Sequence, residues 1–439
     1  MKIIELNERT KKETLDHLST RGTKDYAPFL GAVEAILNSV KERGDEALFE
    51  LTERFDHFAL SKETIKVTRE EMDAACAQTG EELMRVIRTS ADNIRRFHER
   101  QLRESWMDMS RPGIMLGQRM TPLASAGVYV PGGKAAYPSS VLMNVIPAKV
   151  AGVRRIVMVT PPGRDGSIAP LVLAAASVCG VDEVYRVGGA QAIGALAYGT
   201  ESISRVDKIT GPGNIYVALA KRSVFGYVGL DSIAGPSEIT VLADETADPA
   251  FVAADMISQA EHDEMASSVL VTTSRVLAGK VAEELERQTA YLSRREIIRK
   301  SLDSFGLLLV ADSMETAVDA VDAIAPEHLE IQTRDPFETM TMVHNAGAIF
   351  LGSYSSEPLG DYFAGPNHIL PTSGTARFFS PLTVDDFMKK SSVIYYSRDE
   401  LEKVHGDIEA FAEAEGLTGH ANSVRIRFSK EGFNKEGEQ

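Results

Sequence analysis

The chain has 439 residues, 44% of them hydrophobic, which is enough for a sizeable core and too long for one domain. Its 47 Lys and Arg against 63 Asp and Glu leave a net charge of −16, which argues against a non-specific nucleic-acid binder. The charged N-terminus lacks an apolar signal core, the longest apolar run (near Leu171 to Val181) is too short to span a bilayer, and Cys76 and Cys179 cannot make a disulfide framework, so a cytoplasmic protein without a membrane partner is expected.

Residues 1–25 are charged and weakly amphipathic, and read as an N-terminal arm that needs a surface to lie against. From Pro28 to about Phe55 apolar residues recur at helical spacing, with Gly44 as a break. Ile65–Val67 is a brief strand, and Glu70 to about Arg103 is a long helical stretch broken near Thr79-Gly80. After Pro112 the texture changes. Strands at Ala126–Val130, Arg155–Thr160, Glu183–Val187 and Val206–Ile209 alternate with helices at 138–151, Pro170–Val178, Ala190–Tyr198 and Asn214–Ser223. Such alternation predicts a doubly wound, largely parallel α/β unit. Its strands end in Pro-Gly-Gly, Pro-Pro-Gly, Gly-Gly and Gly-Pro-Gly, so its ligand crevice should lie at those carboxyl ends.

The pattern resumes with strand Glu238–Leu242, helix Pro249–His262, strand Ser268–Thr272 and helices from Ser274 to about Ser301. Strand Gly306–Val310, helix Met314–Ala323 and short strands at Leu329–Gln332 and Ala348–Leu351 complete a second α/β unit. From about Thr383 polar helices are expected, ending in a β-like Ser423–Arg427, with Glu431–Gln439 frayed. The organisation predicted is therefore a main α/β domain (26–129 and 237–381), an inserted Rossmann-like domain (130–236), the arm, and a C-terminal tail (382–439).

The glycine loops do not settle a ligand. Lys134 is followed by Ala135, where a P-loop needs Ser or Thr for Mg²⁺, and Gly211-Pro212-Gly213-Asn214-Ile215-Tyr216 begins like a dinucleotide fingerprint but ends on Tyr. Nucleotide binding and tight βα turns both remain open on these residues. Cys179 closes a small-residue apolar helix with no His nearby in sequence, and reads as packing rather than as an aldehyde-trapping nucleophile.

Four other stretches carry chemistry. Asp248 as N-cap and Pro249 at the first helical position start a helix on which Val252, Asp255, Gln259 and His262 share one face. An amide and an imidazole one turn apart can address one metal ion, although an ordinary polar helix end fits the same residues. In Ala325-Pro326-Glu327-His328-Leu329-Glu330 a carboxylate adjoins an imidazole, a pairing suited to proton transfer. The Gly/Pro-punctuated loop Gly360–His368 adds Asp361 and His368, and His420 follows Glu415-Gly416-Leu417-Thr418-Gly419.

Taken together, GVYVPGG at Gly127–Gly133, GGAQAIGALAYGT at Gly188–Thr200, TGPGN at Thr210–Asn214, AGPSE at Ala234–Glu238, QAEHD, APEHLE and DYFAGPNHILPTSGTARF at Asp361–Phe378 resemble the histidinol dehydrogenase family over essentially the whole chain. The resemblance implies one Zn²⁺ per subunit on Gln259, His262, Asp361 and His420, and NAD at Tyr129, Gln191 and Asn214. It implies Glu327 and His328 as the acid–base pair, and L-histidinol against Ser237 and Glu415 together with His328 and the metal ligands. It also implies a homodimer with a shared active site, in which the arm and the tail embrace the second subunit. Relatives that oxidise other small alcohols, sulfonated diols among them, share much of this scaffold. This chain keeps Glu415-Gly416-Leu417 before His420 and Gly365-Pro366-Asn367-His368, as the histidinol enzymes do. A catalytically inert metal-binding scaffold is the reading from another class, and the adjoining Glu327 and His328 argue against it.

Overall fold

The computed structural model describes residues 1–21, 27–132, 137–232 and 235–429. Gly133, Lys134 and Ala234 of the motifs above, part of the predicted arm, and the frayed end lie outside the described residues. The chain divides into two compact units, Met1–Leu102 with Pro122–Phe387, and Arg103–Thr121 with Met388–Gln439.

Two parallel sheets organise the first unit. The larger has six strands in the spatial order Ile3–Glu5, Gly306–Val310, Ser267–Thr272, Glu238–Ala243, His328–Gln332 and Ala348–Leu351. The smaller has five: Glu183–Tyr185, Arg155–Val159, Ser125–Tyr129, Lys208–Thr210 and Gly229–Leu230. In sequence, the strands of the smaller sheet fall between Ile3–Glu5 and Glu238–Ala243 of the larger one.

Parallel strands need crossovers, and helices packed on both faces leave the central strands buried on both sides. The side chains divide accordingly. Ile239, Val241, Leu270 and Leu308 join Val252, Met256, Val281 and Ile298 in one core cluster. Leu242, Val269, Val271, Leu309, Leu329 and Ile331 join Ala317, Val318 and Val321 in another. The period-two alternation of a strand sends neighbours to opposite faces, so one six-residue strand feeds both cores. No helix among the described residues is long and apolar enough to cross a membrane.

The predicted helices form close to where their punctuation places them. Gly44 (φ +56°) separates Ala27–Arg43 from Asp45–Asp56, and Gly80 separates Arg69–Thr79 from Glu81–Glu99. Lys66 makes only an isolated bridge, to Tyr185, where a short strand was expected. Residues 8–19 of the N-terminal stretch form a helix capped by Asn7, and Ile3–Glu5 pairs with Leu308–Val310.

The second unit departs from expectation. Met388–Tyr396 is a nine-residue strand in a three-stranded sheet with Ile114–Pro122 and Trp106–Asp108, where polar helices were predicted. Helices Arg398–Ala414 and Thr418–Arg425 follow it. The β-like reading of Ser423–Arg427 is thereby overturned. Ala421 is fully buried, and Arg425 is bound to Glu409 (2.7 Å) and to Glu413 on the preceding helix, contacts that a helical turn makes and an extended strand would not. Among the described residues of this unit only Ala412 and Ala421 are buried, while Ile394 and Phe411 are more than 70% exposed.

Candidate active site

The helix Pro249–Ala260 begins as expected, with the Asp248 carboxylate accepting from the Ala250 N–H at 2.8 Å and Pro249 in the first turn. It presents Gln259, 1% exposed, with exposed His262 just past its end. Asp361 comes from a π-helical turn, Gly360–Ala364, that helix Glu81–Glu99 holds in place. There Ser90 Oγ donates to the Tyr362 carbonyl at 2.6 Å and Asn93 Nδ2 to the Phe363 carbonyl at 2.9 Å. The turn ends at Gly365 (φ +116°), where a Cβ would sit 2.8 Å from the Asn93 carbonyl oxygen, so this contact needs glycine.

These elements bring ligand atoms of His262, Glu357 and Asp361 within 4.8 Å of one another. Buried Gln259 Oε1, Glu357 Oε1 and His328 Nε2 find no hydrogen-bond partner among the described residues. Leaving such atoms unpaired is costly, and a bound cation with its substrate would satisfy them. Burial raises Asp361, and burial together with the neighbouring Asp361 pushes Glu357 up to about 7. An imidazole and two carboxylates this close together fit a divalent ion such as zinc.

Glu327 and His328 lie at the amino end of strand His328–Gln332, which pairs with Glu238–Ala243, and both are buried. His328 Nδ1 is 3.1 Å from the Glu238 carbonyl oxygen, which can only accept. Nδ1 therefore carries the proton, and the unpartnered Nε2, 3.9 Å from Asp361 Oδ1, presents a lone pair to the site. Burial also lowers His328 below its ordinary 6.5, keeping the ring neutral. Glu327 Oε2 accepts from the Glu238 N–H at 2.9 Å and lies 3.7 Å from His328 Nδ1. Burial first, and then the Glu238 carboxylate, push Glu327 well above the ordinary carboxylate range. A cavity of about 480 Å³ opens beside His328, Asp361 and His368, walled by Phe97, Phe350 and Leu370. His368 Nδ1 is 3.1 Å from the Asp361 carbonyl oxygen, and burial brings its pKa to about 4.

Tyr129, Gln191 and Asn214 lie at or past the carboxyl ends of strands in the smaller sheet or in the helices that follow them. Tyr129 ends Ser125–Tyr129, and its hydroxyl accepts from the Gly189 N–H at 3.1 Å. Gln191, buried, lies in the first turn of helix Gly189–Tyr198, and Asn214 caps helix Ile215–Val224 through the Tyr216 and Val217 N–H groups. At Gly211 (φ +110°) a Cβ would fall 2.1 Å from the Tyr129 carbonyl oxygen, so these two strand ends touch through backbone. Half-buried Ser237 precedes strand Glu238–Ala243. Glu415 and His420 belong to the second unit, at the end of one helix and in the first turn of the next, and both are exposed.

The family model described as histidinol dehydrogenase matches residues 19–428. The chain belongs to the histidinol dehydrogenase family. It is 52% identical over 428 residues to the histidinol dehydrogenase of Clostridium acetobutylicum, covering 98% of this chain and 99% of that one. With the histidinol dehydrogenase of Bacillus subtilis it is 57% identical over 395 residues, 90% of this chain and 92% of the relative. The crystal structure of histidinol dehydrogenase from Elizabethkingia anophelis superposes with a TM-score of 0.91 at 35% identity, covering 97% and 98% of the two chains.

Two buried groups of this histidinol dehydrogenase family member escaped the sequence reading. Glu357 stands four residues before Asp361, one helical turn, a spacing that could have flagged it. Arg21 gave no such signal. Its guanidinium donates to the carbonyls of Met265 (2.8 Å), Pro236 (2.9 Å) and Ser237 (2.8 Å) and to Ser267 Oγ (2.6 Å), and lies 3.9 Å from Glu238. It thereby ties the N-terminal helix to the loop that leads into Glu238.

Proposed function

We propose that this chain is a zinc-dependent, NAD-linked oxidoreductase that converts L-histidinol through L-histidinaldehyde to L-histidine in the cytoplasm, working as a homodimer. The observation that carries the reading is the unpartnered His328 Nε2 aimed into a site with His262, Glu357 and Asp361. Gln259, His262 and Asp361, with His420, would hold one zinc ion per subunit, and the ion when bound supplies a positive anchor for nitrogen donors of the substrate. Tyr129, Gln191 and Asn214 would contact NAD, two molecules of which in succession would each accept one hydride.

The remaining chemistry falls to side chains. A primary alcohol becomes an acid by losing two hydrides and two protons and gaining one water. His328 Nε2, neutral and free of other partners, takes the alcohol proton as the first hydride leaves. Glu327, once ionised, removes a proton from the water that adds to the aldehyde, while the aldehyde oxygen takes back the proton held by His328; His328, neutral again, then takes a hydroxyl proton of the hydrated aldehyde as the second hydride leaves. Ser237 and Glu415 would contact the substrate beside Gln259, His262, His328, Asp361 and His420. Burial of the reacting groups keeps the aldehyde from escaping to solvent.

The homodimer rests on the second unit. Two buried alanines make no core, so its exposed Ile394 and Phe411 need a covering surface. The partner copy would supply that surface, and Glu415 and His420 would reach the partner's site. The test of the whole reading is the NADH yield per L-histidinol, with and without chelator. Two are expected with metal and none without it until Zn²⁺ is restored. One NADH per histidinol rejects the two-step reaction.

A further inference from the structure

Behind the Gly211–Asn214 turn lies an ion pair that the proposed chemistry does not use. The side chains of Lys221 and Asp231 are 3% and 4% exposed. Lys221 Nζ donates to Asp231 Oδ1 and, at 3.0 Å, to the Gly211 carbonyl oxygen. Asp231 Oδ2 accepts from the Gly211 N–H at 2.8 Å. Both backbone polar groups of one glycine are therefore gripped by one buried pair. That glycine is the residue whose backbone abuts the Tyr129 carbonyl, and Tyr129 in turn bonds Gly189, the start of the turn bearing Gln191.

Burying two opposite charges costs about as much as their attraction returns, and apolar residues of similar volume would fill the space at equal or lower free energy. An apolar pair could not hold the Gly211 N–H and C=O. What the charges add is geometric: they set the direction of the turn that carries Asn214 and its distance from Tyr129. We propose that Lys221 and Asp231 are positioning residues for a nicotinamide dinucleotide, clamping Gly211 so that Tyr129, Gln191 and Asn214 face the ligand together. This deepens the NAD assignment above and rests on it.

The test measures NAD affinity by calorimetric titration, and separately the KM for NAD, the KM for L-histidinol and kcat at saturating NAD. The main variant is Lys221→Met with Asp231→Leu, which removes both charges and leaves neither buried alone. It should melt within a few degrees of wild type, bind NAD at least about tenfold more weakly, and keep its KM for histidinol and its kcat at saturating NAD within about twofold. A general loss of structure would lower kcat and histidinol affinity as well. NAD affinity within twofold of wild type, in the folded double variant, overturns the clamp. If the double variant does not fold, Lys221→Met carries the test, since it removes the donor to the Gly211 carbonyl while the buried Asp231 left behind can take up a proton and stay neutral. Unchanged NAD affinity there overturns the proposal equally. Failure of the wild-type protein to bind NAD at all would instead strike the dinucleotide assignment itself, while histidinol binding and metal content would stand.

Discussion

Replacing Glu327 by Gln separates the two halves of the oxidation. The glutamine has the same shape, and its Oε1 can accept the Glu238 N–H that Glu327 now accepts at 2.9 Å. Burial already holds Glu327 toward its neutral form, so an amide there should cost no more than about 1 kcal/mol of stability. What disappears is the base. A positioned general base is worth about 10²–10⁴-fold, or roughly 2.7–5.4 kcal/mol of barrier, and only water addition to the aldehyde should lose it. The pH dependence carries the sign. A carboxyl raised well above 4.5 becomes ionised only at higher pH, so the wild-type aldehyde step should accelerate as pH rises and level off once Glu327 is ionised. His328 is shifted the other way, below 6.5, so it is already neutral at pH 7 and the alcohol step should be flat above that. Single-turnover NADH formation from L-histidinol and from L-histidinaldehyde, across about pH 6 to 9, reads both. Equal slowing of both steps by Glu327→Gln, or a wild-type aldehyde step indifferent to pH, would refute the assignment.

Three further outcomes follow from the geometry. His262→Asn, at an exposed position, should fold normally yet retain far less zinc by elemental analysis, and full activity in verified metal-free protein would contradict the metal requirement. Arg21→Met would leave Glu238 without its cation and four acceptors without their donor; a loss of about 3–5 kcal/mol is expected in urea unfolding, and a change below 1 kcal/mol would show that the guanidinium contributes little net stability. Co-expressed His262→Asn and His420→Asn chains should recover roughly a quarter of wild-type activity, because half the random dimers are mixed and each mixed dimer holds one intact site. Inactivity of isolated mixed dimers would mean that each site is built within one chain.

Local features of the site were legible because they rest on one element. Gln259 and His262 stand three residues apart at one helix end, although the helix stops at Ala260, and Glu327 and His328 are adjacent. Their surroundings depend on strand order. Glu238 meets Glu327 only because Glu238–Ala243 lies beside His328–Gln332 in the sheet, and Arg21 arrives from the other end of the chain. No periodicity encodes either. The strand Met388–Tyr396 was hidden by Lys389, Lys390, Ser391 and Ser392, polar residues tolerated on an exposed ribbon, which blurred the alternation a strand normally displays. At Ser423–Arg427 the spacing of Val424 and Ile426 suggested a strand, while packing of Ala421 and the Arg425 ion pairs decided for a helix.

The scarcity of buried side chains between Met388 and the C-terminal helix ties folding to mass action. Ordering a residue costs roughly 1–2 kcal/mol of backbone entropy, and burial of Ala412 and Ala421 offsets only a small part of that for the second unit. In the proposed homodimer its native form would draw stability from association, and stability drawn that way rises with the logarithm of protein concentration. Diluted far enough, the protein should lose the helices bearing Glu415 and His420 before the parallel sheets melt. Specific activity would then fall on dilution while zinc-free Gln259, His262 and Asp361 remain seated on an intact scaffold.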